Sequence, residues 1–168
     1  MKKTLGITAL ALSLAFGAAP AWADEWSDLN NRVTELYQKG SFDEAVPVAE
    51  KSLALAEKTY GAEKPETALA LNNLAMLYKK QKRYADAESL YKRALKISES
   101  LVGPDHPDVT VALNNLALLH AAQGDYKTAE DLSLRALNIL TKAYGKDHPT
   151  VVQAYQRYDE LKRQAAAH

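Results

Sequence analysis

The sequence predicts an all-α protein, an α-solenoid of three helix hairpins followed by a C-terminal capping helix. The main observation is a repeat, because Leu71-Asn72-Asn73-Leu74-Ala75 returns as Leu113-Asn114-Asn115-Leu116-Ala117, 42 positions later. Apolar residues around each copy recur at helical spacing, and Gly124 stops the run that begins at Val109. A fixed period of roughly 20–50 residues is typical of proteins built from stacked repeats.

The first 23 residues have the layout of a secretory signal peptide. Lys2 and Lys3 give a positive start, an uncharged run rich in Ala and Leu follows, and Ala21-Trp22-Ala23 forms an A-x-A cleavage pattern. The apolar run is shorter than the ~20 residues that a membrane-spanning helix needs, which argues against an uncleaved anchor. We therefore expect cleavage after Ala23, a periplasmic or secreted mature protein, and no stable membrane insertion after cleavage.

Composition and charge narrow the functional classes. The chain has 21 basic and 21 acidic residues and a formal net charge of zero, so no strong field attracts nucleic acid. It contains no cysteine, which removes disulfides, thiol catalysis and thiolate metal sites. The hydrophobic fraction of 47% and the charged fraction of 25% are ordinary for a globular domain. One domain is expected over residues 24–168.

The period divides this domain into three units, at about residues 26–66, 67–108 and 109–150. Each unit reads as two helices. Residues 151–166 repeat only the first-helix pattern, with polar residues around it, and are expected to form a capping helix at the end of the stack.

Local patterns predict how the helices start and pack. Ser41-Phe42-Asp43-Glu44 predicts a capping box at the second helix of the first unit. Alanines that recur at the period, such as Ala87 and Ala129, are expected where two helix axes approach closely.

The second and third units carry the residues of a known repeat. The order Leu-x-x-Leu-Ala-x-x-Tyr, followed by Tyr-x-x-Ala, Tyr and Ala, resembles the tetratricopeptide repeat (TPR). Its positions in the second unit are Leu71, Leu74, Ala75, Tyr78, Ala87, Tyr91 and Ala94. The period of 42 residues is longer than the usual ~34 and, together with Gly-Pro-Asp-His-Pro, is similar to the kinesin light chain subtype. The signal peptide indicates a secreted bacterial form.

The resemblance implies a right-handed stack whose first helices line a concave face. Members of the family usually bind peptides or proteins there, and few are enzymes. We therefore expect a non-enzymatic protein–protein interaction module without cofactor or metal. The alternative is a self-associating scaffold or assembly adaptor, so a homo-oligomer stays open.

The residues expected to meet a peptide lie at the asparagine pairs and one helical turn beyond them. They are Asn30, Asn31, Thr34, Asn72, Asn73, Met76, Asn114, Asn115 and Leu118. An Asn amide both donates and accepts, so it can bind the N–H and C=O of an extended peptide of any sequence. Two alternatives remain open: one Asn of each pair ties neighbouring helices together, and the Met and Leu belong to the core.

Two further features have plain explanations. Lys79-Lys80-Gln81-Lys82-Arg83 is the densest basic run, and a solvated turn between two helices explains it better than an anion-binding patch. His106 and His148 recur in Asp-His-Pro at the repeat period, which favours a role in helix capping over a metal site. His120 stands where the second unit has Tyr78, and it is expected to be a packing residue. No catalytic constellation emerges.

Overall fold

The computed structural model describes residues 21–167, with side chains from residue 25 onward. The predicted signal peptide therefore lies almost entirely outside the described residues, and only the backbone of its last three residues is included. The elements of the described part are α1 (Ala21–Gln38), α2 (Phe42–Thr59), α3 (Pro65–Lys80), α4 (Tyr84–Val102), α5 (Val109–Ala122), α6 (Tyr126–Tyr144) and α7 (Pro149–Ala167).

The helices pack in chain order, each against the next, as α1–α2, α3–α4 and α5–α6 hairpins with α7 on α6. In addition α1 lies against α3, and α3 lies against α5, so the first helices of successive hairpins touch directly. This arrangement confirms the predicted all-α solenoid.

The recurring alanines are buried at the helix contacts, as their spacing predicts. Ala45, Ala87 and Ala129 occupy the same position in α2, α4 and α6, and none of them is exposed to solvent. A methyl group there lets the axes of neighbouring helices approach, and the larger Leu74 and Leu116 fill the space beside them. Because interiors are close-packed, a larger residue at these alanines would force the helices apart.

Ion pairs join the second helices across the junctions between hairpins. Arg93 on α4 pairs with Glu57 on α2 at 2.6 Å, and Arg135 on α6 pairs with Glu99 on α4 at 2.7 Å. These two pairs occupy equivalent positions, one repeat apart. Each pair is partly solvated, so each contributes less than about 1 kcal/mol, but together they fix how neighbouring hairpins are aligned.

The predicted capping box at Ser41 is wrong. Ser41 precedes α2, but its side chain accepts no hydrogen bond from the helix. The backbone is not the reason, because φ and ψ are −79° and 60° at Ser41 and −83° and 69° at the equivalent Asp125, and the N–H of each residue bonds a carbonyl at the end of the preceding helix. The two residues differ in the side chain, which is a short hydroxyl at Ser41 and a carboxylate at Asp125. The equivalent position in the third hairpin does cap its helix, because Asp125 accepts from the Thr128 N–H at 3.1 Å. Hydrogen bonding to Thr128 also holds the pKa of the Asp125 carboxyl below its usual value.

The turns inside the hairpins require a left-handed residue. Gly40 and Gly124 have φ of 75° and 81°, and the equivalent residue of the second hairpin is Lys82, with φ of 61°. A side chain makes this conformation unfavourable by about 1–2 kcal/mol, whereas glycine adopts it freely.

We expect Lys82→Gly to stabilise the protein by about 0.5–1 kcal/mol, since relief of the backbone strain exceeds the entropy that glycine adds to the unfolded chain. Urea unfolding followed by circular dichroism measures the change. The reciprocal Gly124→Lys should be destabilising by a similar amount, because open space surrounds that position and only its backbone conformation resists a side chain. Equal stability of Lys82→Gly and the parent chain would contradict this account.

Candidate functional site

The asparagine pairs lie in the middle of α1, α3 and α5, on the side that we call the inner face. Because these three helices touch one another in sequence, an Asn on one helix can reach an Asn on the next. Asn is a poor residue for a helix interior, so three pairs at the same place call for a reason beyond helix formation.

The pairs form hydrogen bonds across the helices. Asn73 Nδ2 donates to Asn30 Oδ1 at 3.1 Å, and Asn115 Nδ2 donates to Asn72 Oδ1 at 3.2 Å. The second Asn of each pair therefore bonds the first Asn of the preceding pair. We call this series the asparagine ladder.

In the first two pairs the first Asn is also bound within its own helix. Asn30 Nδ2 donates to Trp26 O and Asn72 Nδ2 donates to Ala68 O, both at 2.9 Å. Asn30 Oδ1 accepts in addition from the Ser52 hydroxyl at 3.3 Å. The amides of Asn30 and Asn72 are thus committed to the fold, as the structural alternative predicts.

The second Asn of a pair keeps hydrogen-bonding capacity. In the described chain, Asn73 and Asn115 each use only one N–H, so their Oδ1 atoms and second N–H groups are available. Asn31 is exposed and Asn114 is half-buried, and neither bonds another residue in the described part of the chain. The bonds that join neighbouring helices therefore involve Asn30, Asn72, Asn73 and Asn115, whereas Asn31 and Asn114 take no part in them.

The three residues one turn beyond the pairs are not core residues. Thr34 is exposed and its hydroxyl donates to Asn30 O at 3.0 Å, while Met76 is half-buried. Leu118 is 45% exposed. They present two apolar side chains and one hydroxyl on the inner face.

Sequence reasoning missed a second apolar row. Val111 and its counterpart on α3, Leu69, are exposed, whereas Val109 and Leu113 on the same helix as Val111 are fully buried. Val111 and Leu69 each precede the second Asn of their pair by one helical turn, so they lie on the inner face. The signal was present in their position four residues before Asn73 and Asn115.

The basic run at the end of α3 is partly engaged within the fold. The ammonium of Lys80 lies 5.6 Å from the centre of the Tyr37 ring, and the Arg83 guanidinium lies 3.9 Å from that of Tyr78. Arg83 also pairs with Asp86 at 2.8 Å. Lys79 is half-buried, and burial lowers the pKa of its ammonium, with a smaller effect from Lys80. The run thus lies at the turn between α3 and α4, as expected, with Lys80, Lys82 and Arg83 exposed and Lys79 half-buried.

The histidines act in local structure. His106 Nδ1 accepts from the Asp108 N–H and His148 Nδ1 from the Thr150 N–H, each at 3.2 Å, next to the starts of α5 and α7. His120 bonds Asp125 at 3.1 Å. Among residues 25–167, no three His, Asp or Glu side chains come together as a metal site.

None of the seven helices in residues 21–167 combines the length and the apolar character needed to cross a bilayer.

Comparison with known proteins identifies the repeats. A family profile described as tetratricopeptide repeat matches residues 29–100, 66–142 and 108–166, which confirms the predicted repeat type. No curated protein is significantly similar in sequence to this chain.

Solved structures share the fold. BtubC (BKLC) from P. vanneervenii superposes with a TM-score of 0.75 at 24% identity, over 84% of this chain and 56% of BtubC. The nearly identical TPR-like repeats of a Podosopora anserina protein assigned as a kinesin light chain give a TM-score of 0.75 at 20% identity, over 84% of this chain and 67% of that one. The N-terminal domain of stress-induced protein-1 from C. elegans gives 0.59 at 17% identity, over 86% of this chain and 99% of that domain.

The likeness to kinesin-light-chain-like repeats is thereby confirmed at the level of the fold, and these identities carry it no further. This chain spans little more than half the length of BtubC.

We expect the ladder bond between Asn72 and Asn115 to give a coupling free energy of about 1 kcal/mol in a double-mutant cycle of Asn72→Ala and Asn115→Ala, because the bond is half-buried. Urea unfolding of the parent, the two single variants and the double variant provides the cycle. Asn31→Ala and Asn114→Ala form the matched control pair, and their effects should add. Additive effects at Asn72 and Asn115 would show that the bond does not contribute to stability.

Proposed function

This chain belongs to the tetratricopeptide repeat family, and we propose that it is a non-enzymatic module that binds a segment of another protein on its inner face, in the bacterial envelope. Tetratricopeptide repeats generally serve as protein–protein interaction modules. The observation that carries the proposal for this chain is the unused hydrogen-bonding capacity of Asn73 and Asn115 on that face.

The spacing of these amides suits an extended peptide. Neighbouring helices are typically about 8–10 Å apart, and an extended chain advances ~3.3 Å per residue, so Asn73 and Asn115 would meet about every third residue of the ligand. Each offers one carbonyl oxygen and one N–H, which matches a peptide's own N–H and C=O. Such contacts hold the backbone of the ligand whatever its side chains are.

Apolar side chains flank the amides on both sides. Leu69 and Val111 lie one turn before them, and Met76 and Leu118 lie about one turn after. Burial of these side chains by a ligand contributes the non-directional part of the affinity, while the amides set the position of its backbone.

The chemistry of the described side chains supports a binding role over catalysis. His106 and His148 bond backbone N–H groups, and His120 bonds Asp125, so in residues 25–167 none of these rings is hydrogen-bonded to a hydroxyl nucleophile.

The binding proposal is tested by capture on the immobilised protein. Envelope extract is passed over the parent chain and over Asn73→Ala/Asn115→Ala, and the retained proteins are identified by mass spectrometry. Loss of two hydrogen bonds to the partner's main chain, of about 1 kcal/mol each, should weaken the affinity of a true partner roughly tenfold or more. Asn138→Ala, an exposed Asn on α6, is the matched control and should retain the partner. Equal capture by all three proteins would place the binding site elsewhere. Thermal unfolding checks that each variant is folded.

The envelope location rests on the leader-like pattern of residues 1–23, with its positive start, its uncharged Ala- and Leu-rich run and its A-x-A pattern. Intact-mass measurement of the protein from fractionated bacterial cells should give the mass of residues 24–168 in the periplasm or medium. The mass of the whole chain in the cytoplasm would contradict export.

Self-association is the alternative. Tyr155 on α7 is 57% exposed, whereas its counterpart Leu113 is fully buried under α6. A molar mass above that of one chain in light scattering, reduced by Tyr155→Lys, would favour the scaffold role.

A further inference from the structure

One hollow on the molecule is lined mainly by apolar side chains that the packing of one hairpin on the next does not require. It lies between the start of α3, the end of α4 and the start of α5, and has a volume of about 260 Å³. Small-molecule sites are commonly about 300–1,000 Å³, so this volume suits one amino-acid side chain better than a cofactor.

The lining is unusual for an exposed surface. Leu69, Leu101, Val102 and Val111 are 48%, 45%, 41% and 60% exposed. They are four of the eight large apolar side chains exposed in the described residues, and all four line this hollow. Scattered apolar residues on a surface need no explanation, but a contiguous group marks an interaction site.

The repeat itself shows that these residues are not required for packing. At the preceding junction the residues equivalent to Leu69, Leu101 and Val102 are Ser27, Thr59 and Tyr60, and at the following junction those equivalent to Leu101 and Val102 are Ala143 and Tyr144. The hairpins pack at all three junctions. Only the middle junction combines four aliphatic side chains.

The hollow adjoins the asparagine ladder. Asn72, which accepts the ladder bond from Asn115, is among its lining residues. Val111 and Asn115 are one helical turn apart, about 5.4 Å along the axis, so a backbone held at Asn115 can direct a side chain into the hollow.

One residue with a charged side chain lines the hollow, and its charge is negative. Asp108 is exposed and makes no side-chain cap bond at α5, while Asp105 is paired with Lys142 at 3.3 Å. His106 Nδ1 lies 3.5 Å from the Asp108 carboxylate, so this carboxylate has no permanently charged partner among the described residues. The Asp108 carboxylate therefore favours a cation of the ligand beside the hollow.

We propose that the hollow is a specificity site for the partner segment: it takes one large aliphatic or aromatic side chain, and an adjacent residue of the partner is Lys or Arg. This inference rests on the proposed function, because the amides of the inner face supply the backbone contacts. It adds a side-chain preference to a groove that otherwise recognises only the backbone.

The test uses a random 12-residue peptide library displayed on phage and selected on the immobilised full-length protein. Enriched peptides should share a large apolar residue next to Lys or Arg. Fluorescence anisotropy with one such synthetic peptide should show affinity at least about tenfold weaker when its apolar residue is replaced by alanine, a change that cannot affect the fold of the protein.

Variants of the protein locate the contacts. Val111→Ser should weaken binding of the peptide by a similar factor, whereas Val152→Ser, at another exposed valine, in the first turn of α7, should leave the binding unchanged. Asp108→Asn should reduce the preference for Lys or Arg, and more strongly at low salt. Asp108 makes no side-chain cap bond at α5, so the change leaves the helix start intact.

The outcomes separate this inference from the proposed function. If the selected peptides lose affinity for Asn73→Ala/Asn115→Ala but bind Val111→Ser as tightly as the parent chain, the specificity site is overturned and the proposed binding on the inner face is retained. Peptides enriched in acidic residues beside the apolar one would overturn the charge preference. Enrichment of no peptide, or only of peptides indifferent to Asn73, Asn115 and Val111, would contradict both.

Discussion

The close approach of neighbouring helices at small residues is the constraint on which the other features depend. Ala75, Ala87 and Ala117 are fully buried between helices, and a methyl group is the largest side chain that this spacing accepts without displacement. An Asn side chain is short, so the bond of 3.1 Å between Asn73 and Asn30 can form only because α1 and α3 touch. Packing of apolar residues thus determines whether the polar contacts of the inner face can exist.

Polar contacts join neighbouring hairpins on both sides of the stack, and their contributions to stability differ. The asparagine bonds are half-buried and each contributes on the order of 1 kcal/mol, whereas the ion pairs Arg93–Glu57 and Arg135–Glu99 are partly solvated and contribute less. Both sets are small beside the burial of the leucines and alanines. Their effect is to select one alignment of each hairpin on the next, which apolar surfaces alone specify poorly.

The 42-residue period was sufficient to predict the helices and their stacking, because both follow from where apolar and small residues recur, while the family was predicted from the resemblance of the repeat motif. The division of labour within an asparagine pair was not predictable. It depends on which flank of α3 faces α1 and which faces α5, a rotation of about 100° between adjacent residues that only the packed neighbours determine. The exposure of Val111 was not predicted for the same reason, and the left-handed conformation of Lys82 was not predicted because the equivalent position in the other hairpins holds glycine. Local propensity predicts that a segment is helical, whereas the exposure of each of its residues depends on the helices packed around it.

The asparagine ladder has a direction and two unlike ends. Every bond runs from a donor on the later helix to an acceptor on the earlier one, which leaves Asn31 as a donor without an acceptor and Asn114 as an acceptor without a donor. On α7 the residue that would continue the series is Arg157. A duplicated copy of the middle unit, inserted between the second and third, would therefore meet matching groups on both sides. Such an array can grow by gene duplication without any new interface residue, and its inner face would lengthen by one hairpin at each step.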